Sequence, residues 1–371
     1  MKRVESSSAT GHRYTPRERF LCALAGGQPD RVPVFDFLFS PVLFEEFLGR
    51  RVSDYNGRDA VECTRAMGLD GVWVPFGGFS GYRPRYLREH VYVDEWGTTY
   101  QKDPASWPID APIDYPIKSR VDLRAYRPPD PTAPGRLDHV ETALELADGD
   151  LAVLAGVQGP LTTAWLLLGP ELIFQSIYDD PGLLKAVFRL SNDFFLVAAQ
   201  RVAAAGVDAV IVSEDLGHSS GPFFGLRHYR ELLRPYLDEL VGAIVRLGKP
   251  ALLHSCGCVT IFLDDLVESG ISGLHSLQRT AGMDLAEVKA RYGERICLVG
   301  NVDSSATLPY GAEQEVEREV REAIRIAGPG GGYILASDHS LHDGIPMRNV
   351  RQMLDAARRY GRYPLELYGD A

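Results

Sequence analysis

The sequence predicts an α/β fold built as a single (β/α)8 TIM barrel, and three observations carry that prediction. Eight short apolar runs recur along the 371 residues, helix-length segments separate most of them, and the runs are almost continuously hydrophobic instead of alternating. Strands of that kind belong to a parallel sheet covered on both faces. Eight of them with crossover helices fit a closed barrel better than an open doubly wound sheet.

In chain order, a leading helix is expected over 16–26, where Thr15 can cap, Pro16 takes the first helical position and Glu18 the first turn. The first two runs are VPVFDF (32–37) and GVWVPF (71–76). The alternation then breaks over 77–150, a proline-rich stretch in which HVYVDEWGTTYQ (90–101) reads as a hairpin turning at Trp96-Gly97. An insertion of this kind belongs on the face where barrel enzymes bind substrate, so 77–150 is expected to be a lid or wall. The remaining runs are 151–157, 207–214, 250–255, 271–277, 295–301 and 332–337, with helices expected over 181–205, 226–247, 259–269, 312–327 and 349–360. Most of these helices end near a glycine: Gly206, Gly248, Gly270, Gly328 or Gly361. The GPGGG run at 328–332 precedes a strand, so it reads as a helix-to-strand turn and not as a phosphate cradle. The chain is thus divided into a flexible N-terminal tail, 1–15, and one barrel domain, 16–371.

Composition bounds the function. A chain 45% hydrophobic and 24% charged has ample material for a core. Thirty-nine Lys and Arg against fifty Asp and Glu give a net charge of −11, and no basic run offsets it, so nucleic acid and anionic lipid surfaces are not expected partners. No apolar stretch reaches the ~18 residues of a membrane span, and the N-terminus lacks the apolar segment of a secretion signal. A cytoplasmic location is expected, with the five scattered cysteines reduced.

In a barrel, chemistry concentrates at the C-terminal ends of the strands. There the sequence places Glu214, Asp215 and His218 after strand four, His254, Cys256 and Cys258 at strand five, and His275 in strand six. Asn301 and Asp303 follow strand seven, and Asp338, His339, His342 and Asp343 follow strand eight. The sharpest motif is HSCGC. Alternate residues of an extended strand share a face, so His254 and Cys256 can enter one site, and imidazole with thiolate suits zinc. A buried thiol beside a hydrogen-bonded imidazole is the competing reading. Of the adjacent pair Glu214 and Asp215, strand geometry admits one to the site, and Asp215 is the choice. Phe35, Phe37, Phe39 and Phe44, with Tyr82 and Trp96, either wall an apolar pocket or pack in the core.

Five segments carry a resemblance: TPRERFLCALAGGQPDRVPV, IVSEDLG, HSCGCVTIFLDDLVESGISGLHSLQ, LVGNVDSSATLPYGAEQEVEREVREAI and GGYILASDHSLHDGIPMRNV. Together they resemble the uroporphyrinogen decarboxylase superfamily, which implies one (β/α)8 barrel and an enzyme of one of two kinds. One branch comprises cofactor-free tetrapyrrole decarboxylases; the other, zinc-dependent methyltransferases acting on corrinoids and thiols or methylated compounds. The decarboxylases carry arginines after the first strand and an aspartate ending the second. Here 35–49 contains no Lys or Arg, and Pro75-Phe76-Gly77-Gly78 stands where the aspartate would be. The sequence is more similar to the methyltransferase branch, whose His-x-Cys at strand five matches His254 and Cys256, and His339 takes the place of that branch's third, cysteine ligand.

The resemblance therefore implies Zn2+ held by His254, Cys256 and His339, with Cys258 or another residue as alternatives for the third position. It implies a corrinoid co-substrate delivered on a partner protein and a small-molecule methyl donor or thiol acceptor; a homodimer is compatible with it. Asp215 and Asp303 are expected to orient ligands or substrate, and His218 or His342 to shuttle protons. Tetrapyrrole decarboxylation and a non-enzymatic corrinoid- or ligand-binding barrel are the alternatives.

Overall fold

In the computed structural model, residues 14–78, 83–103 and 107–365 are described; the expected tail therefore lies outside the described residues up to 13, as does Tyr82. Seven strands form one parallel sheet in chain order: Gly71–Pro75, Ala152–Gln158, Ala209–Ser213, Ala251–His254, Gly273–His275, Cys297–Val302 and Tyr333–Ser337. Helices cover the outside, and the strand residues are buried nearly throughout, as continuous hydrophobicity requires.

The first apolar run closes this sheet without forming a regular strand. Segment 32–39 lies between the last and first strands of the sheet: Leu335 N–H donates to the Pro33 carbonyl (2.9 Å), Phe35 N–H to Leu335 (3.0 Å), and Asp70 N–H to Val34 (2.8 Å). Pro33 has no N–H to give, and the Val34 N–H goes to the Asp70 side chain (2.8 Å) instead of a backbone carbonyl. Asp70 is fully buried and also takes the guanidinium groups of Arg19 (2.6 Å) and Arg31 (2.8 Å), so one carboxylate ties three segments at the seam. Farther along, Leu38–Phe39 pairs in parallel with Leu341–His342, extending the closure to the C-terminal mouth.

Local chemistry explains the helices. Pro16–Leu24 begins with a reciprocal cap, the Glu18 N–H donating to Thr15 Oγ1 (3.2 Å) and the Thr15 N–H to Glu18 Oε2 (2.9 Å). Pro181–Ala205 starts at Asp180, whose carboxylate accepts the Leu183 N–H, and stops at Gly206, where φ of 103° bars a side chain. The single helix expected over 226–247 is instead Leu226–His228, a wide turn at Tyr229–Leu233, and Arg234–Arg246. Pro235 cannot donate backward along the helix, and the ladder widens ahead of it.

Within 77–150 the hairpin exists and is part of something larger. Val91–Val93 and Thr99–Gln101 pair in an antiparallel four-stranded sheet with Arg85–Arg88 and Ala111–Asp114 outside them. The turn is set by Asp94, whose carboxylate accepts the N–H groups of Trp96 and Thr98 (both 2.9 Å), with Gly97 at φ 86°. The outer strands escaped the sequence reading because they are exposed, and one contains Pro112. Among the described residues no helix is long and apolar enough to cross a membrane.

Candidate metal centre

Three strand ends converge at the C-terminal mouth. Ser213, His254 and His275 sit side by side in the register of strands four, five and six, so the residues following them enter the same space. Ligand atoms of Asp215, His254 and Cys256 all lie within 4.8 Å of one another. The Cys256 sulfur is 3.5 Å from His254 Nε2, and Asp215 Oδ1 is 3.8 Å from the same nitrogen. Asp215 Oδ1 also accepts the Cys256 backbone N–H (2.9 Å), which fixes carboxylate and thiol together.

The tautomer of His254 follows from its neighbours. His275 Nε2 lies 3.2 Å from the Ser337 carbonyl, which only accepts, so that nitrogen carries a proton. Burial, with His254 and His339 nearby, holds the His275 imidazole well below its usual range and hence neutral, so its Nδ1 is an acceptor. His254 Nδ1 is 2.7 Å from it and must donate. The His254 Nε2 lone pair is left facing Cys256 and Asp215. The Phe37 ring packs edge-on against both imidazoles, with centroids 5.3 Å and 5.2 Å away.

Burial sets the charge states. It lowers the His254 pKa, against the pull of Asp215, and lowers that of His339 to about 4. It raises the Cys256 thiol well above its usual range, with Asp215 adding repulsion. The site at neutral pH thus holds neutral imidazoles and a protonated thiol, a donor set that a divalent cation would convert to thiolate.

His339 lines the same cavity as Asp215 and His254, its ring centroid 6.1 Å from that of His254, and its Nδ1 is 2.8 Å from the Ser340 hydroxyl. It is outside the group of three mutually close donors. Cys258 is also outside that group, its sulfur 3.5 Å from Thr260 Oγ1. Glu214 and Asp215 diverge as the strand alternation requires. Glu214 is fully buried and accepts the Leu161 and Thr162 N–H groups at the start of helix Pro160–Leu168, while Asp215 faces the cavity.

Three other sequence candidates are placed elsewhere. Asp303 accepts the N–H groups of Ser305 (2.7 Å) and Ala306 (3.0 Å), shaping the turn before Thr307–Tyr310. His342 spans the Ser304 carbonyl (2.9 Å) and the Gly344 N–H (3.1 Å). His218 is exposed beside Ser220. None of the three lines the cavity above His254 among its described residues. His275, noted only as a strand residue, is the neighbour of His254 that sequence reasoning undervalued; the signal was its register opposite His254.

That cavity has a volume of about 530 Å3. The barrel supplies Phe37, Phe39, Trp73 and Trp165; segment 77–150 supplies Tyr92, Trp96, Tyr100 and Ile109. Phe35 and Phe44 are instead buried in the core.

Comparisons with known proteins agree with this architecture. A family model described as Uroporphyrinogen decarboxylase (URO-D) matches residues 109–360, more than half of the chain. Among curated relatives, "Methylcobamide:CoM methyltransferase MtaA" of Methanosarcina barkeri is 25% identical over 61% of this chain and 64% of its own length, so the chain spans under two thirds of that relative. A "Uroporphyrinogen decarboxylase" of Thioalkalivibrio sulfidiphilus is 27% identical over 66% of this chain and 71% of its own. The solved structure of a "methyltransferase from Methanosarcina mazei" superposes with a TM-score of 0.71 at 21% identity, covering 94% of this chain and 99% of the other, a likeness of fold.

Proposed function

The chain belongs to the uroporphyrinogen decarboxylase (URO-D) family of enzymes, and from that premise we propose that it is a zinc-dependent methyltransferase, moving a methyl group between a corrinoid or methylated substrate and a thiol or other acceptor. The observation that carries this reading is the convergence of Asp215, His254 and Cys256 at the barrel mouth, beneath a cavity that His339 also lines. One carboxylate, two imidazoles and one thiol are a donor set that suits zinc, with His254 and Cys256 as the grip and His339 or Asp215 completing it. Zinc bound there would hold a substrate thiol as thiolate at neutral pH or polarise a methyl donor.

The chain's own groups prepare that position. His275 orients His254, and Asp215 anchors the Cys256 backbone. The aromatic walls would limit the water around a bound ligand. Asp215 is assigned an orienting role at the site, Asp303 one exerted through its turn, and His218 and His342 remain proposed proton carriers. A corrinoid would arrive on a partner protein, with the reaction placed in the cytoplasm.

The decarboxylase alternative is disfavoured by charge. A substrate with eight carboxylates needs cations, and the cavity's described lining holds no Lys or Arg. Elemental analysis of the freshly purified protein is the decisive measurement: stoichiometric zinc, lost in Cys256→Ala, is expected. Comparing His339→Ala with Asp215→Asn identifies the remaining ligand by which of them releases zinc. With methylcobalamin and a panel of thiols, the cobalt(I) spectrum should appear only in the zinc-loaded protein. Metal-independent turnover of uroporphyrinogen would overturn the proposal in favour of decarboxylation. Zinc with every coordination position filled by side chains would favour a binding barrel.

A further inference from the structure

The loop that carries Cys256 has no ladder of its own. Residues 255–259 leave strand five without helix or strand pairing, so their backbone is held by groups from the neighbouring strand ends. On the strand-four side, the Leu216 N–H donates to Ser255 Oγ (2.9 Å), Asp215 takes the Cys256 N–H, and the Cys258 N–H reaches the His218 carbonyl (3.3 Å). Gly257 is pressed against that wall: its φ is 75°, and a Cβ there would lie 2.3 Å from the His218 backbone nitrogen. Its own N–H goes the other way, to the segment after strand six, where Gln278 Oε1 accepts it at 2.8 Å. Gly257 is buried and no backbone carbonyl among the described residues takes this N–H, so the loop depends on Gln278 for it.

Gln278 is itself held in place. Leu277 before it is 2% exposed with φ of 59°, a left-handed conformation that a branched side chain rarely adopts and that persists only where the surroundings over-determine it. The buried Asn301, from strand seven, supplies part of that constraint, donating through Nδ2 to the Leu277 carbonyl (3.0 Å). The Gln278 carbonyl accepts the Ala281 and Met283 N–H groups (both 3.2 Å) and closes the turn that follows.

We propose that Gln278, aimed by Asn301 and the left-handed Leu277, is the positioning residue that holds the Cys256 thiol beside His254. Asp215 cannot do this alone. It is one of the three close donors, and a metal drawing on its carboxylate would weaken its hold on the Cys256 N–H. The Gln278 amide is neutral and lies outside both that group and the described cavity lining, so it does not compete with a metal. The use of this placement in metal binding rests on the methyltransferase reading; the placement itself rests on the hydrogen bonds alone.

The test compares the parent chain with Gln278→Leu, Gln278→Glu and Asn301→Ala. Co2+ alone is titrated and its thiolate-to-metal absorption recorded; separately, iodoacetamide labelling of Cys256 is timed by peptide mass in the metal-free full chain. Leucine removes the acceptor, so Gln278→Leu is expected to weaken Co2+ binding about 10–100-fold, to shift or bleach the absorption, and to speed Cys256 labelling several-fold. Glutamate keeps an acceptor oxygen at the same reach, so Gln278→Glu is expected to stay near the parent in all three. Asn301→Ala frees the Leu277 carbonyl and is expected to change in the direction of the leucine variant; it remains measurable if that variant fails to fold. Co2+ affinity in Gln278→Leu within about twofold of the parent's would overturn the proposal. Equal losses in the leucine and glutamate variants would also overturn it, since they mark a contact that only supports the fold. A parent that binds neither Co2+ nor Zn2+ refutes the metal reading; faster labelling confined to Gln278→Leu and Asn301→Ala then upholds the placement, and equal labelling in every variant refutes it as well.

Discussion

Replacing His275 by leucine tests the contact that aims His254 into the site. Leucine keeps most of the volume, so the packing cost is small, under about 1.5 kcal/mol. The polar cost is larger. His254 Nδ1–H loses its acceptor at 2.7 Å and the Ser337 carbonyl loses a donor at 3.2 Å, both in buried surroundings. At about 1–3 kcal/mol for each orphaned group, the zinc-free protein should lose roughly 2–6 kcal/mol of stability, read as a lowered urea midpoint. The freed imidazole then samples the wrong tautomer, and loss of such an orienting partner lowers metal affinity by about 10–100-fold, read by zinc titration against a chelator. His275→Gln retains one donor and one acceptor, so it should recover part of both losses and remains measurable if the leucine variant fails to fold. A leucine variant with the parental urea midpoint and zinc affinity within about twofold of the parent would refute the orienting role.

At the opposite end of the barrel, Asp70→Ala should destabilise by about 3–5 kcal/mol, because it leaves the buried Arg19 and the partly buried Arg31 without the carboxylate they share. A loss below about 1 kcal/mol by urea denaturation would show that the seam is held otherwise. The third prediction concerns pH. Burial raises Asp36 to about 7 and Glu214 to about 8, above the values these groups have in the unfolded chain. Between pH ~6.5 and ~8 the folded protein therefore binds more protons than the unfolded one, and stability falls as pH rises through that window. The buried histidines, whose folded values lie below 6.5, act in the other direction and below that window. Glu214→Gln should flatten the decline in urea midpoint between pH 6.5 and 8; a midpoint that climbs over that range would contradict the assignment.

Much of the barrel was legible because parallel strands buried on both faces leave a signal that needs no partner to interpret. Leu252, Val210 and Leu298 are hydrophobic whichever neighbour they meet. The seam was harder to read: 32–37 has the composition of a strand, yet Pro33 and the diversion of the Val34 N–H to a side chain leave it bridged and not laddered. Just past the ends of strands four and five, Glu214 and Asp215 still diverge and the Cys256 sulfur still approaches His254, as the alternation of the strands leads one to expect. Beyond the first residues after a strand, loop conformation decides direction, which is why Asp303, His342 and His218 looked equivalent to Asp215 in sequence while their loops turn them to local backbone groups. The contribution of His275 depends on a cross-strand register of two imidazoles, a relation that no single segment contains.

Closure of the barrel and construction of the proposed metal position are joined through one residue. Asp36, in the irregular seam, accepts both the backbone N–H (2.8 Å) and the hydroxyl (2.7 Å) of Ser337 at the end of strand eight. The Ser337 carbonyl receives His275, His275 receives His254, and His254 presents its free nitrogen to Cys256 and Asp215. The seam cannot separate without moving the carbonyl that sets the tautomer two imidazoles away. A regular strand at 32–37 would have satisfied Ser337 with a backbone carbonyl and left no buried carboxylate beside the mouth. The departure from ideal barrel geometry therefore places a hydrogen-bonded support behind the proposed ligand His254, whose aim a metal would require to be held within about 0.5 Å.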